Sequence, residues 1–368
     1  MKMQSKTVVV AVGLLPFALL LRWVGFAMPT AVETLFAQGL YPVVARVLGT
    51  LNRVLPIPFA EVAVLNVAVI AVVLGVRWWR SPRRRTGFAA TTRTALLAIW
   101  TAAGVGLLAF LFAWGFNYAR PPLRDRLDLD LSGLESAEVL TLAEAFVTRA
   151  NASYELLAAD PAEPTAMPHP DRAADRLIDD AYRELALPGD VIVFTTSPVK
   201  GLISSALFSR IGISGIFVPF TGEPLFNRLM PAVSKPVAMA HEKAHQRGIT
   251  DEGEANLAAV LACLTANDPY LRYAAELYAS SALVAAAARY APDEAQALAA
   301  EWASGPRRDL IAIREFWDRH RGVATRAATR VNDAYLRSNR VEGGVQSYGR
   351  VASMLVGLDR ADRVPLAR

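Results

Sequence analysis

Residues 238–256 read AMAHEKAHQRGITDEGEAN and hold two of the chain's four histidines. Four residues make about one helical turn. On a helix, His241 and His245 therefore share a face and can aim two imidazole nitrogens at one point. The small apolar residues before them, Ala238 to Ala240, suit a buried helix. The plain alternative is a pair of solvated histidines on a helix surface, and the surroundings weigh against it. Zinc takes imidazole nitrogens at about 2.0–2.1 Å. Glu242 stands one step round the helix, close enough to take a proton from a water on such a cation. This is the H-E-x-x-H pattern of zinc peptidases. Bound zinc brings the pKa of its water to about 7. The stretch predicts a Zn2+ site held by His241 and His245, with Glu242 as the catalytic base.

A third ligand is needed, and three carboxylates compete for the role. Gly248 lets the chain turn sharply after the helix. Asp251 then falls at the metzincin spacing, H-E-x-x-H-x-x-G-x-x-H/D. Glu252 instead opens E-x-x-x-N with Asn256, which resembles the second-helix glutamate of the gluzincin zinc peptidases. There a residue four positions later orients a histidine from behind. Glu254 would point about 200° away from Glu252 on one helix, so both cannot bind one metal. Glu252 ranks first, then Glu254, then Asp251. For each acid the plain alternative is a solvated helix N-terminus, whose dipole favours negative charge. Lys243 is expected on the helix's outer side.

Moving outward, 53% of the 368 residues are apolar and the mean hydropathy is +0.27. Those values suggest a membrane part joined to a folded part. Residues 1–119 carry 11 basic and 2 acidic residues, whereas the rest of the chain carries 28 and 32. The basic excess belongs to the apolar part, so it reads as membrane topology and not as a nucleic-acid surface. The single cysteine, Cys263, excludes an intrachain disulfide and reads as a small core residue.

Three membrane spans are expected, at about 7–27, 59–79 and 94–116. The last is an uncharged run of 23 residues, long enough at 1.5 Å per residue to cross a core of about 30 Å. Pro16 is tolerable in the first span, and Arg22 must reach for the near interface. A cleaved signal peptide is the alternative there, but no small-residue cleavage site follows. The loop RWWRSPRRRTGFAATTR (77–93) has six arginines and no acid, which keeps it cytoplasmic. Lys2 and Lys6 place the N-terminus on the same side. Residues 120–368 then form an extracytoplasmic domain. Residues 28–58 lie along the membrane surface or pack on the spans.

Within 120–368, helices are expected at about 136–158 and 171–186, with a Pro-rich loop at 160–170 containing a solvated His169. VIVFTT (191–196) and GIFVPF (215–220) read as strands. From about 235 onward the pattern is helical, broken near Gly248, Asp268, Pro292 and Gly305–Pro306. The expected architecture is mainly α: three N-terminal transmembrane helices, then an α+β zincin-like domain, gluzincin-like in detail, with a small sheet.

HEKAHQRGITDEGEAN resembles the signature of the bacterial domain-of-unknown-function family 3810. So do WGFNYARPPL (114–123), GISGIFVPFTGEPLFN (212–227), ACLTANDPYLRYA (262–274) and VNDAYLRSNRVEGGVQSYG (331–349). Lys243 departs from the family's usual apolar residue. The resemblance implies a membrane-anchored, zincin-type zinc metalloprotease on the outer face of the membrane and gives no substrate. With the topology above, the expectation is a multi-pass protein of the bacterial cytoplasmic membrane with a peptide or protein substrate in the envelope. GIFVPF is expected to be the edge strand that pairs with extended substrate, and Pro219 suits an edge. An oxyanion donor is also needed. Tyr348 is the leading candidate, before His320 and Arg350. Two competing readings remain. One is a non-catalytic envelope protein with a structural or sensing metal site. The other is a transport subunit, for which the spans carry few polar groups.

Overall fold

The computed structural model describes residues 2–54, 56–80, 88–185 and 197–361. Helix α1 (Lys2–Ala27) leads into a single turn, α2 (Pro29–Ala31), a π-helical stretch (Val32–Leu40) and α3 (Tyr41–Val54). Helices α4 (Phe59–Trp79) and α5 (Phe88–Ala113) follow, then a 3-10 turn (Gly115–Ala119). Three of these helices are long and apolar enough to cross a membrane, over Val10–Ala27, Phe59–Arg77 and Thr92–Ala113. Their apolar side chains are largely unpacked, Val64, Leu65 and Val67 of α4 and Ile99 of α5 among them. Such an outward apolar surface suits lipid as solvent. The expected third span ends three residues early: Trp114 to Phe116 leave the helix, and Trp114 turns inward.

Helices α1 and α5 pack closely where Gly104 faces Leu14 and Leu15. A Cβ there would sit 2.7 Å from the Leu15 nitrogen. Pro16, inside α1, cannot donate to the Val12 carbonyl four residues back. The Trp100 indole of α5 supplies the missing donor at 3.0 Å.

Beyond Arg120 the chain runs through α6 (Leu123–Arg126), α7 (Ser136–Leu156), α8 (Asp171–Leu185), β1 (Lys200–Gly201), α9 (Ser205–Arg210), β2 (Gly215–Val218) and β3 (Glu223–Phe226). It ends in α10 (Lys235–Gln246), α11 (Glu252–Thr265), α12 (Pro269–Ala287), α13 (Pro292–Ala299), α14 (Ser304–His320), α15 (Val323–Ser338) and α16 (Val351–Arg360). Helix α11 is buried along nearly its whole length, including Leu257, Val260, Leu261 and Cys263. A helix apolar all round belongs in a core, and α8, α10, α12 and α16 surround it. Asp251 and Asp268 cap α11 and α12 by accepting backbone N–H bonds in the first turn. The break expected near Gly305 and Pro306 falls just before them, at 300–303 between α13 and α14. Gly305 and Pro306 occupy the first turn of α14, where a missing N–H does no harm.

The sheet has the order β1-β3-β2, with β1 parallel and β2 antiparallel to β3. GIFVPF supplies β2 at one edge, although Pro219 lies past its end. VIVFTT falls outside the described residues. β3 was not anticipated, because its EPLF carries a proline and a glutamate. The glutamate has a purpose. Glu223 is fully buried and accepts N–H bonds from Phe59 (2.8 Å) and Ala60 (2.7 Å). These are orphan donors at the start of α4, where a carboxylate also meets the helix dipole. Lys200 balances that charge at 2.7 Å. Glu61 of α4 in turn accepts from the Ile203 and Ser204 amides. The sheet is thereby bonded to the first turn of an apolar helix.

Residues 28–58 pack on the later part of the chain. The Tyr41 hydroxyl donates to the Gln246 carbonyl at 2.6 Å, and the Asn52 amide to the Thr221 carbonyl. Arg120 makes a two-pronged bond to Glu33, at 2.7 and 3.0 Å, while also donating to the Gly248 carbonyl.

Candidate metal centre

Helix α10 places His241 and His245 one turn apart, with ring centroids 4.6 Å apart and planes at 90°. Gly248, at φ +80°, reverses the chain after it. A side chain there would meet Asn117 and Arg120 at 2.9 Å, so glycine is needed twice over. Helix α11 returns Glu252 to the pair. Its Oε2 lies 3.1 Å from His241 Nε2 and 3.3 Å from His245 Nε2. All three residues are buried.

The remaining ring nitrogens are held from behind. His241 Nδ1 meets the Asn256 side-chain oxygen at 2.8 Å, and His245 Nδ1 meets the Ile249 carbonyl at 2.8 Å. Both partners are acceptors, so each Nδ1 carries the proton and each Nε2 presents its lone pair to the same spot. Ligands about 2.0–2.1 Å from a tetrahedral centre stand about 3.3–3.4 Å from one another. The nitrogen–oxygen separations are close to that edge length. Two neutral imidazoles and one carboxylate are also a donor set that zinc accepts. The residues fit a divalent cation.

The three ligating groups also act on one another's charge. Burial works against ionising Glu252, yet the two histidines hold its pKa well below the usual carboxylate range. Burial alone would lower His245, but the Glu252 carboxylate lifts it to about 9. Glu242 is fully buried and is pushed up to about 7, against the pull of His241 and His245. Its Oε2 has no hydrogen-bond partner among the described residues. Gly215, the first residue of β2, makes room for it: a Cβ there would collide with the Glu242 carboxylate.

Tyr348 comes to the site as expected. Its ring stacks on His241 at 6.2 Å and 12°, and burial, with the nearby Glu252 charge, pushes its hydroxyl's pKa up. The other candidates go elsewhere. Asp251 caps α11 and pairs with Arg350. Glu254 accepts the Leu123 and Arg124 amides at 2.8 and 3.2 Å. Arg350 is taken by Asp251 and Glu342. His320 bonds the Phe316 carbonyl in its own helix. His169 is not simply solvated, since it meets Asp268 at 2.6 Å. Lys243 is the clearest correction. It is fully buried and pairs with Asp175 at 2.6 Å and Asp179 at 3.0 Å.

Three residues near the site carried no functional reading in the sequence, although each lies in a stretch that resembles the family, WGFNYARPPL or VNDAYLRSNRVEGGVQSYG. The Trp114 indole donates to the His245 carbonyl at 2.8 Å. Tyr118 and Tyr335 join hydroxyls at 3.2 Å, and the charge of Glu252 reaches both. An open cavity of about 700 Å³ adjoins the centre. His241, Glu242, Asn256 and Tyr348 reach it at one end.

The molecule is thus a mainly helical protein with three helices fit to cross a membrane and a buried two-histidine, one-carboxylate centre. A family defined as proteins of unknown function, DUF3810, matches residues 36–356, and the chain belongs to that family. Neither the curated proteins nor the solved structures contain a match.

Proposed function

We propose that the protein is a membrane-anchored, zinc-dependent metallopeptidase that hydrolyses peptide bonds of envelope proteins or peptides. In this reading residues 1–119 are the membrane domain. Residues 120–368 form a zincin-like, extracytoplasmic domain on the outer face of the cytoplasmic membrane. The arginine-rich loop before α5 and the two lysines near the N-terminus support that topology. One observation carries the catalytic reading. Two imidazole nitrogens converge on one carboxylate oxygen, and beside them the Oε2 of a second buried carboxylate, Glu242, has no partner among the described residues.

Zinc held by His241, His245 and Glu252 would supply Lewis acidity and a water of lowered pKa. Glu242 takes the proton of the attacking water and returns it to the leaving amine, as a general base and then a general acid. Asn256 and the Ile249 carbonyl keep both rings in the tautomer that leaves Nε2 free. Strand β2 lies along α10 at the sheet edge, where an extended peptide can add to it. The Tyr348 hydroxyl is placed to donate to the developing oxyanion.

The test is Glu242→Gln in the full chain, with bound zinc measured alongside cleavage of an unstructured protein. Zinc content is expected to persist while hydrolysis falls by about a thousandfold or more, in line with loss of a general base. Equal cleavage by both forms refutes the mechanism. Stoichiometric zinc with no cleavage by either form favours the structural or sensing metal site.

A further inference from the structure

We propose that the open cavity beside Glu242 receives apolar side chains from alternate positions of an extended polypeptide, so that the protein selects apolar segments. This assignment rests on the peptidase reading of the same centre. A volume of about 700 Å³ is that of a whole ligand, well beyond one side chain. Val237, Leu277, Ala282, Ala286, Ile313 and Trp317, from α10, α12 and α14, form its walls. The alanines of α12 create the space, and the larger residues opposite make it apolar. Glu242 is the only acid among the lining residues, and Arg289, an exposed residue, is the only lysine or arginine. Away from Glu242 and the exposed Arg289, a charged side chain entering this space would give up water without meeting a counter-charge. An apolar one gains with every methylene buried.

The strand beside the cavity indicates a polypeptide in preference to a hydrocarbon chain. Pro224 has no N–H, so its pair with Phe217 is a non-hydrogen-bonded pair of the β2–β3 ladder. Asn227 donating to the Ser214 carbonyl at 2.8 Å fixes the same alternation. Gly215 and Phe217 therefore turn their N–H and C=O groups away from β3, toward the open edge of the sheet. Gly215 also lines the cavity and touches Glu242. A chain that pairs with this edge has its backbone bonds satisfied at the point where its side chains enter the cavity. An acyl chain has nothing to offer these groups.

The test uses the full-length Glu242→Gln protein in lipid nanodiscs, which binds without turnover. Two fluorescein-labelled nonapeptides with identical flanks carry Leu-Leu-Phe or Ser-Ser-Asn at the centre, and binding is read by fluorescence anisotropy. The apolar peptide is expected to bind at least about tenfold tighter, since one methylene in an apolar pocket already discriminates by about that factor. Ala286→Phe, which fills the cavity, should remove the preference. Ile313→Asn, which makes the wall polar, serves if that variant does not fold. Equal affinity for the two peptides overturns the proposal. So does binding of a fluorescent palmitate analogue to a cavity that takes neither peptide. A preference in binding, with no cleavage of either peptide by the wild type, upholds the cavity assignment and removes the hydrolase reading alone.

Discussion

Helix α10 presents two charged faces that solve opposite problems. Toward the candidate metal centre stand His241, Glu242 and His245, with Glu252 opposite them. Capacity there is left open: Nε2 lone pairs share one focus, and a buried Glu242 oxygen lacks a partner among the described residues. Toward α8 stand Lys243 and Arg247, with Asp175 and Asp179 opposite. There the charges are matched. Lys243 reaches both aspartates, Arg247 reaches Asp179 at 2.8 Å, and the Arg247 guanidinium also lies 4.1 Å from the centre of the Tyr182 ring. A face that binds a cation must keep ligand atoms in reserve, whereas a face that only anchors the helix must balance its charges. One helix carries both, because a buried ion cluster behind it resists rotation of the histidines in front.

The largest expected effect comes from breaking the rear face. Lys243→Met leaves Asp175 and Asp179 buried with only Arg247 to balance them. Removing one partner of a buried ion cluster typically costs about 3–5 kcal/mol. Thermal unfolding of the detergent-solubilised protein should show that loss. A normal unfolding temperature for Lys243→Met would mean the cluster contributes little. The front face is probed by Asn256→Ala. Its side-chain oxygen fixes the His241 tautomer from 2.8 Å, and losing such a partner typically weakens metal affinity about 10–100-fold. Zinc competition titration against a chromophoric chelator measures it. An unchanged affinity would show that Asn256 does not orient the ring.

The two faces were unequally legible in the sequence. The front face follows from spacing: i, i+4 histidines, a glycine turn, and a glutamate whose i+4 neighbour is an asparagine. Local periodicity is enough, because all five residues lie within sixteen positions. The rear face needed partners more than sixty positions upstream. Asp175 and Asp179 are themselves an i, i+4 pair on an amphipathic helix, but nothing in the sequence says which helix they meet. Lys243 was therefore expected to be solvated. The same limit hid the role of residues 28–58. Their apolar pattern fits a membrane surface, and only the Tyr41 and Glu33 contacts show that one side of the segment braces α10 and the turn after it. The three apolar helices were easy to find, because length and composition alone define them. Strand β3 was hidden by its buried Glu223, whose partners belong to the start of α4.

The smallest expected effect separates the faces by pH. Burial on its own would raise the Asp179 carboxyl, but the Lys243 and Arg247 cations hold it down at about 2. An ordinary aspartate, as in the unfolded chain, titrates near 3.9. The folded pKa is the lower one, so the folded state is favoured by this group above about pH 4. That contribution is lost as pH falls from about 4 to about 2. The shift corresponds to at most about 2 kcal/mol, reduced somewhat because the side chain is 22% exposed. Asp179→Asn removes the titrating group and keeps the shape. Comparing wild type and variant by thermal unfolding between pH 5 and pH 2.5 isolates it from the chain's other carboxylates. The wild type should lose more stability on acidification, with the curves converging toward the acid end. Parallel curves would mean the rear cluster does not hold Asp179 ionised, and the contrast between the two faces of α10 would then rest on geometry alone.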